Sequence, residues 1–198
     1  LYTLLDDYVG LLKVAENYGF DSVWAGEHHP RFAEPGHVPS PLLVLSALAR
    51  STKLRLGTGA TLLTLWDPLR LAYDSAVLDQ ISEGRFILGV GVGNPDLMRR
   101  FGIPPNQAGS RMDEALILLK KLWAGEEEFQ GNHFKVKGKV YPGPAQSGGP
   151  PIWVGGKVRR SVQRAAELGD GWYGATQHHL EVIKRQADHY RALLSAKG

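Results

Sequence analysis

Residues 67–94 read DPLRLAYDSAVLDQISEGRFILGVGVGN. Asp67 and Pro68 mark a helix start: a side-chain acceptor at the cap, then a proline whose fixed φ suits the first turn. The helix runs to about Ser82, and Gly84 breaks it. Residues 86–92 (FILGVGV) then switch to a strand. Side chains alternate faces along a strand. Leu88, Val90 and Val92 therefore share one side, and Gly89, Gly91 and Gly93 the other. This unit, a helix followed by a strand with one apolar and one bare face, sets the pattern for the chain.

The pattern recurs in both directions. Residues 3–18 carry Leu4, Tyr8, Leu11, Leu12 and Ala15 at helical spacing, and Gly19 ends that helix. Residues 21–26 (DSVWAG) are a strand, and Pro41 opens a helix through Ala49. Residues 54–63 (LRLGTGATLL) are the next strand, and 111–124 are helical. Residues 128–141 (EFQGNHFKVKGKVY) predict a β-hairpin with its lysines in water, followed by a Pro/Gly-rich loop over 142–151. Strand 152–155, helix 158–168, strand 171–174 and helix 179–195 complete the chain, with Thr176 a candidate N-cap for the last helix. Loops 30–40 and 95–110 carry no diagnostic group. Repeated strand–helix units imply a parallel sheet, either doubly wound or closed into a barrel.

The bare face extends beyond residues 86–92. Leu54 and Leu56 oppose Gly57 and Gly59; Ile152 and Val154 oppose Trp153 and Gly155; Val23 and Ala25 oppose Trp24 and Gly26. Glycine inside a strand costs stability. Its recurrence points to space kept for a flat ligand or for close backbone approach. The alternative is relief of crowding inside a barrel, although barrel interiors are usually packed with branched side chains.

Composition narrows the class. A chain of 198 residues, 43% of them hydrophobic, suits one domain with a real core. Cysteine is absent, which removes disulfides and thiolate metal sites. No apolar run is long enough for a membrane span. The net charge of +3 comes with interleaved acids and no aromatic–basic alternation, so neither a nucleic acid nor a membrane is expected as a partner. An anionic small molecule remains a reasonable one.

Taken together, DSVWAGEHH (21–29), RLGTGATLL (55–63), residues 67–94, RMDEALILLKKLWAG (111–125) and PPIWVGGKVRRSVQRAAELGDGW (150–172) resemble the bacterial-luciferase-like flavin-dependent oxidoreductases. The resemblance implies a TIM (β/α)8 barrel, with 128–141 as a hairpin insertion. It implies a monooxygenase that uses reduced FMN and molecular oxygen on an organic small molecule. The reduced FMN would come from a separate flavin reductase, since no nicotinamide fingerprint is present. The alternatives are a deazaflavin (coenzyme F420)-dependent hydride-transfer enzyme of the same superfamily and a non-catalytic flavin-binding protein. A cytoplasmic homodimer is the expected form. Against that pattern the first barrel strand and the last two are not seen, so residues 1–198 are expected to be a single barrel domain truncated at both ends.

Four stretches carry the candidate chemistry. The first is GEHHP, 26–30. From spacing alone, His28 and His29 fit a turn bonded to nearby backbone, or a base or donor at the C-terminal end of a strand, where barrel chemistry lies. No third metal ligand is evident. If strand parity continues, His28 points inward with Trp24 and Gly26, and His29 points away. In the resembling family a histidine of this motif works beside the flavin ring, a role that carries to His28, with His29 in reserve. The second is Thr58-Gly59-Ala60, where the family often has a bulge, sometimes with a non-proline cis peptide, against the ring. The third is Gly91, Gly93 and Asn94, a strand end that contacts flavin in the family and lacks the G-x-x-G ending of a dinucleotide fingerprint. The fourth is Gly155, Gly156, Lys157 and Arg159, where a glycine pair leads into a helix N-terminus suited to a phosphate. Arg111 and Asp113 read as an ordinary helix start, and the second histidine pair, His178 and His179, as part of one.

Overall fold

The computed structural model describes residues 2–29, 38–174 and 179–197. Thr176, His178 and the loop 30–37 fall outside the described residues. The barrel strands are β1 (Ser22–Ala25), β2 (Arg55–Thr58), β3 (Thr61–Leu62), β4 (Phe86–Gly91), β7 (Ile152–Gly155) and β8 (Gly171–Tyr173). They form one sheet of order β1-β2-β4-β7-β8, with β3 also paired to β4. Every pairing in it is parallel. β3 continues β2 after an interruption at Gly59–Ala60, since both pair with β4. β5 (Glu128–Gln130) and β6 (Lys135–Lys137) make the antiparallel hairpin foreseen over 128–141.

The helices are α1 (Tyr2–Asn17), α2 (Pro41–Leu48), α3 (Pro68–Ile81), α4 (Pro95–Arg100), α5 (Ala108–Trp123), α6 (Arg159–Leu168) and α7 (Leu180–Ser195). Asp67 caps α3 as expected, its Oδ1 accepting the Arg70 N–H at 2.9 Å. α4 is a correction, because its residues lie in an expected loop. At six residues it is under two turns and shows no readable period, although Asn94-Pro95 is a cap-and-first-turn pair. α5 also begins three residues before the expected Arg111. His179, not Thr176, sits at the N-cap of α7, with no side-chain cap bond. Among the described residues, no helix is long and apolar enough to cross a membrane.

The core lies between the sheet and the helices. Leu56, Phe86, Leu88, Val90, Ile152 and Val154 are fully buried beside Leu71, Met112, Leu116 and Leu119. Each such side chain contributes about 1.5–3 kcal/mol of burial. In α1, Leu12 is buried against Leu48 and Leu54 while Leu11 is exposed, so the helix packs along a narrower stripe than its spacing implies.

The bare face has a different occupant from the one expected along most of its length. A Cβ on Gly57 would lie 2.3 Å from the Trp24 ring, on Gly155 2.4 Å from the Tyr173 ring, and on Gly171 2.7 Å from the Trp153 ring. A Cβ on Gly89 would meet the Thr58 carbonyl oxygen at 1.8 Å. These glycines make room for the chain's own aromatics and for its own backbone. Trp24 stacks obliquely on Trp153 (5.3 Å between centroids) and Tyr173 (6.1 Å). Open space begins further along, at the C-terminal ends of the strands, where Gly59 and Gly93 are exposed and Gly26 and Gly91 half-exposed.

Candidate functional site

Four strand ends and one helix start meet at that open end. β1 stops at Ala25, so strand parity does not reach the histidines. The chain turns there, and the His28 N–H donates to the Val38 carbonyl at 2.8 Å. His28 is exposed, and its ring lies back over Gly26: a Cβ there would be 3.1 Å from His28 Nε2 and 3.1 Å from the Gly59 carbonyl oxygen. His29 goes elsewhere. Its Nε2 is 2.7 Å from Glu27 Oε1, and its ring stands edge-on to Phe101 at 5.2 Å. With Asn94, Asp96, Leu97, Arg99 and Arg100 it lines a cavity of about 570 Å³ against α4.

Glu27, to which its motif assigns no role, is the tie at this corner. It is only 5% exposed. Oε1 meets His29, and Oε2 accepts the Leu62 N–H at 2.9 Å and the Trp66 indole N–H at 3.0 Å. Its own N–H donates to the Ala60 carbonyl at 3.3 Å. Its signal in the sequence is only local: an acid two residues before a histidine is close enough to bond it.

Thr58, Gly59 and Ala60 form the junction between β2 and β3. The Gly59–Ala60 peptide is cis. Gly59 donates to the Ala25 carbonyl at 2.8 Å, and Thr58 Oγ1 donates to the Gly89 carbonyl at 2.7 Å, so the junction is fastened to both neighbouring strands. Gly91 faces Ala60, whose Cβ lies 3.3 Å from where its own would be. Gly93 has φ of +81°, a conformation that favours glycine. Asn94 serves the fold, since its Oδ1 accepts the Leu97 N–H at 2.9 Å and caps α4.

At the far side, Gly155 and Gly156 turn the chain into α6. A Cβ on Gly156 would fall 2.4 Å from the Ser161 side chain, and its φ is +155°, so this turn requires glycine. Val158 occupies the N-cap and offers no side-chain acceptor to the first-turn N–H groups. Lys157 and Arg159 are exposed and enter no ion pair among the described residues. Their neighbours are committed: Arg160 pairs with Asp113 and Glu167, and Arg164 with Asp113. Asp113 thus locks α5 to α6 and leaves Lys157 and Arg159 as the cations at the helix start. Arg111 lies over the Phe134 ring at 4.7 Å, away from this turn.

The floor between the two sides is aromatic. Trp24 is pinned by a 2.9 Å bond from its Nε1 to Ser22 Oγ. Burial pushes the Tyr173 hydroxyl well above its ordinary pKa, so it stays neutral. Strand alternation already puts Trp153 on the bare face, but Tyr173 is not singled out in the sequence as part of it. Among the described residues, no group of three His, Cys, Asp or Glu is placed to hold a metal ion.

The profile of the luciferase-like monooxygenase family matches residues 3–198. The oxygenase component of flavin-dependent trigonelline monooxygenase from Acinetobacter baylyi is 33% identical over 196 residues, which are 96% of this chain and 54% of that protein. The F420-dependent hydroxymycolic acid dehydrogenase of Mycobacterium tuberculosis is 32% identical over 179 residues, 84% of this chain and 48% of that protein. In three dimensions the chain is similar to the monooxygenase RslO1 from Streptomyces bottropensis, with a TM-score of 0.87 and 32% identity over 97% of this chain and 60% of that one. It is also similar to the oxygenating constituent of 3,6-diketocamphane monooxygenase from Pseudomonas putida, solved with FMN, with a TM-score of 0.84 and 25% identity over 98% of this chain and 58% of that one. The chain spans about half the length of the curated relatives it matches.

Proposed function

This chain belongs to the luciferase-like monooxygenase family, and from that premise we propose that its protein is a flavin-dependent monooxygenase. In this reading it uses reduced FMN and molecular oxygen to oxidise an organic small molecule. Residues 1–198 belong to a single barrel domain. The observation that carries the reading is the bare backbone at the strand ends, Gly26, Gly59, Gly91 and Gly93, lying between the His28 ring on one side and, on the other, the start of α6, whose N-cap residue Val158 has no side-chain acceptor.

That surface fits a flat ring with a phosphate tail. Lys157, Arg159 and the first-turn N–H groups of α6 take the phosphate, with the helix dipole adding to their charge. Gly155 and Gly156 let the backbone approach it. Gly91, Gly93 and the Thr58-Gly59-Ala60 junction lie against the ring, and the Trp24–Trp153–Tyr173 floor closes the space beneath it to water. Asn94 shapes the rim by starting α4. His28, beside the Gly59 carbonyl, is the histidine placed to exchange a proton or a hydrogen bond at the ring edge, and His29 lies behind it. Reduced FMN, when bound, supplies the electrons that activate oxygen. The protein's own contributions are orientation, exclusion of water and the imidazole.

A deazaflavin reading rests on the F420-dependent relative. Anaerobic titration of the intact protein with reduced FMN and with reduced F420 separates the two. Binding of FMN with a micromolar or lower Kd, and failure of F420 to compete, is the expected result. Failure of both refutes either cofactor. Reduced FMN that binds but, on exposure to oxygen, leads to oxidation of none of a panel of ketones, aldehydes and aromatic amines would favour the non-catalytic alternative. A homodimer, a separate flavin reductase and a cytoplasmic location complete the proposal. They are read by light scattering, by reconstitution with a reductase and by fractionation.

A further inference from the structure

Both oxygens of the buried Glu27 carboxylate are in use, and they face two kinds of donor. Oε2 faces the Leu62 N–H (2.9 Å) and the Trp66 indole N–H (3.0 Å), which can only donate. Oε1 faces His29 Nε2 (2.7 Å), which donates or accepts according to its tautomer. We propose that Glu27 is a positioning residue that sets the tautomer of His29: it holds the ring hydrogen on Nε2 and leaves Nδ1 as the acceptor of a side chain lining the cavity against α4.

The chemistry of the three partners makes the assignment. An ionised carboxylate accepts at both oxygens, so the nitrogen that meets it carries the hydrogen. The same carboxylate ties that imidazole to the segment just after Gly59–Ala60, through Leu62 and Trp66. Ring tautomer and strand junction are therefore fixed by one group. Glutamine has the same shape but only one accepting end. With its oxygen toward Leu62 and Trp66, it keeps two bonds and turns its NH2 to His29, whose Nε2 must then accept. The reverse orientation leaves two N–H donors at this buried corner without an acceptor. Two fixed donors against one adaptable ring decide the outcome. Glu27→Gln moves the His29 hydrogen to Nδ1 and deletes the acceptor without emptying the site.

The test is nuclear magnetic resonance of the intact protein labelled with 15N-histidine, with His29 assigned by its loss in His29→Ala. Long-range 1H–15N correlations report Nε2–H in the wild type and Nδ1–H in Glu27→Gln. Nδ1–H in the wild type, or the same tautomer in both proteins, overturns the proposal. If circular dichroism shows that Glu27→Gln does not fold, Glu27→Asp is read instead. Its carboxylate is one methylene short of the ring, and loss of the single tautomer is expected; an unchanged pure Nε2–H form refutes. Only the kinetic consequence rests on the flavin reading. In single turnovers, Glu27→Gln should slow the reoxidation of protein-bound reduced FMN by about tenfold to a hundredfold, a part of the roughly 10²–10⁴-fold that a well-positioned acid or base supplies. Reduced FMN affinity should be unchanged, and His29→Ala should add nothing further to it. No binding of reduced FMN would sink the flavin reading and leave the tautomer result standing. Normal reoxidation in a variant with the switched tautomer would refute a role for Nδ1.

Discussion

Gly89 and Gly91 share a face of β4, two residues apart, and alanine at each should fail in a different way. A Cβ on Gly89 would sit 1.8 Å from the Thr58 carbonyl oxygen and 3.2 Å from the Trp24 ring. The nearest obstacle is backbone, so no rotamer change relieves it, and β2 and β4 must part by about 1 Å in an interior packed to crystal density. Overpacking of this kind costs about 1–3 kcal/mol. Parting the strands also loses the 2.7 Å bond from Thr58 Oγ1 to the Gly89 carbonyl, about 1 kcal/mol more. Gly89→Ala should therefore lose about 3 kcal/mol, a large share of a typical domain's stability. At Gly91 the nearest atom is the Ala60 Cβ at 3.3 Å, which a small shift accommodates. Gly91→Ala should stay within about 1 kcal/mol of wild type. Its methyl lies on the proposed ring surface, so FMN affinity should fall about tenfold or more. Urea midpoints and FMN fluorescence titration read the two effects. Gly10→Ala, with nothing within 4 Å in the exposed middle of α1, is the control; it should stabilise by about 0.5–1 kcal/mol. A midpoint for Gly89→Ala equal to wild type would refute the close approach of β2 and β4. Full FMN affinity in Gly91→Ala would remove the ring from this surface.

Three further outcomes follow from the ion pairs and carboxylates. Neutralising both exposed cations, Lys157→Gln with Arg159→Gln, should weaken FMN binding about fivefold to thirtyfold, since exposed charges contribute about 1 kcal/mol each at most. Riboflavin, which lacks the phosphate, should bind as before, and a parallel loss for riboflavin would place the phosphate elsewhere. Arg164→Leu removes a buried guanidinium (4% exposed) from Asp113. Because Asp113 keeps Arg160, the loss should be about 2 kcal/mol, below the usual range for breaking a buried pair, and a urea midpoint unchanged from wild type would refute the lock between α5 and α6. Partial burial raises the Glu114 pKa, but the backbone N–H groups of His133, Phe134 and Asn132 outweigh it and hold the carboxyl below its ordinary value. A depressed folded-state pKa stabilises above the unfolded value and is lost as pH falls through the folded one. Thermal scans should then show wild type ahead of Glu114→Gln near neutrality and the gap closing in acid; a constant gap would mean the charge contributes nothing.

The strand–helix order is legible in the sequence because the two signals it needs are local. Period two in 86–92 and 152–155, and caps such as Asp67-Pro68, are properties of neighbours in sequence. The buried faces of β2, β4 and β7 are those the alternation specifies. What faces the glycines is not legible. The pattern Gly57, Gly89, Gly155, Gly171 states that Cβ atoms are excluded, but not by what. The answer depends on the directions of Trp24, Trp153 and Tyr173, which come from other strands. The space expected for a ligand is shared: aromatic rings take its middle, and only the strand ends stay bare.

The histidine pair shows the same limit more sharply. Parity assigns His28 inward and His29 away by extending β1 past its end, whereas the strand stops at Ala25. His28 does lie over Gly26, on the inner face, but a turn fastened to Val38 puts it there. His29 turns toward α4, an element too short to show a period, and toward Glu27, whose importance comes from two donors more than thirty residues away in sequence. A carboxylate that bonds its neighbour two residues on is foreseeable. One that also closes a bulge on the adjacent strand is not, because only the folded register brings Leu62 and Trp66 beneath it. The motif therefore has to be read as a glutamate that engages one histidine and leaves the other over Gly26, beside the proposed flavin surface, not as a pair of equivalent imidazoles.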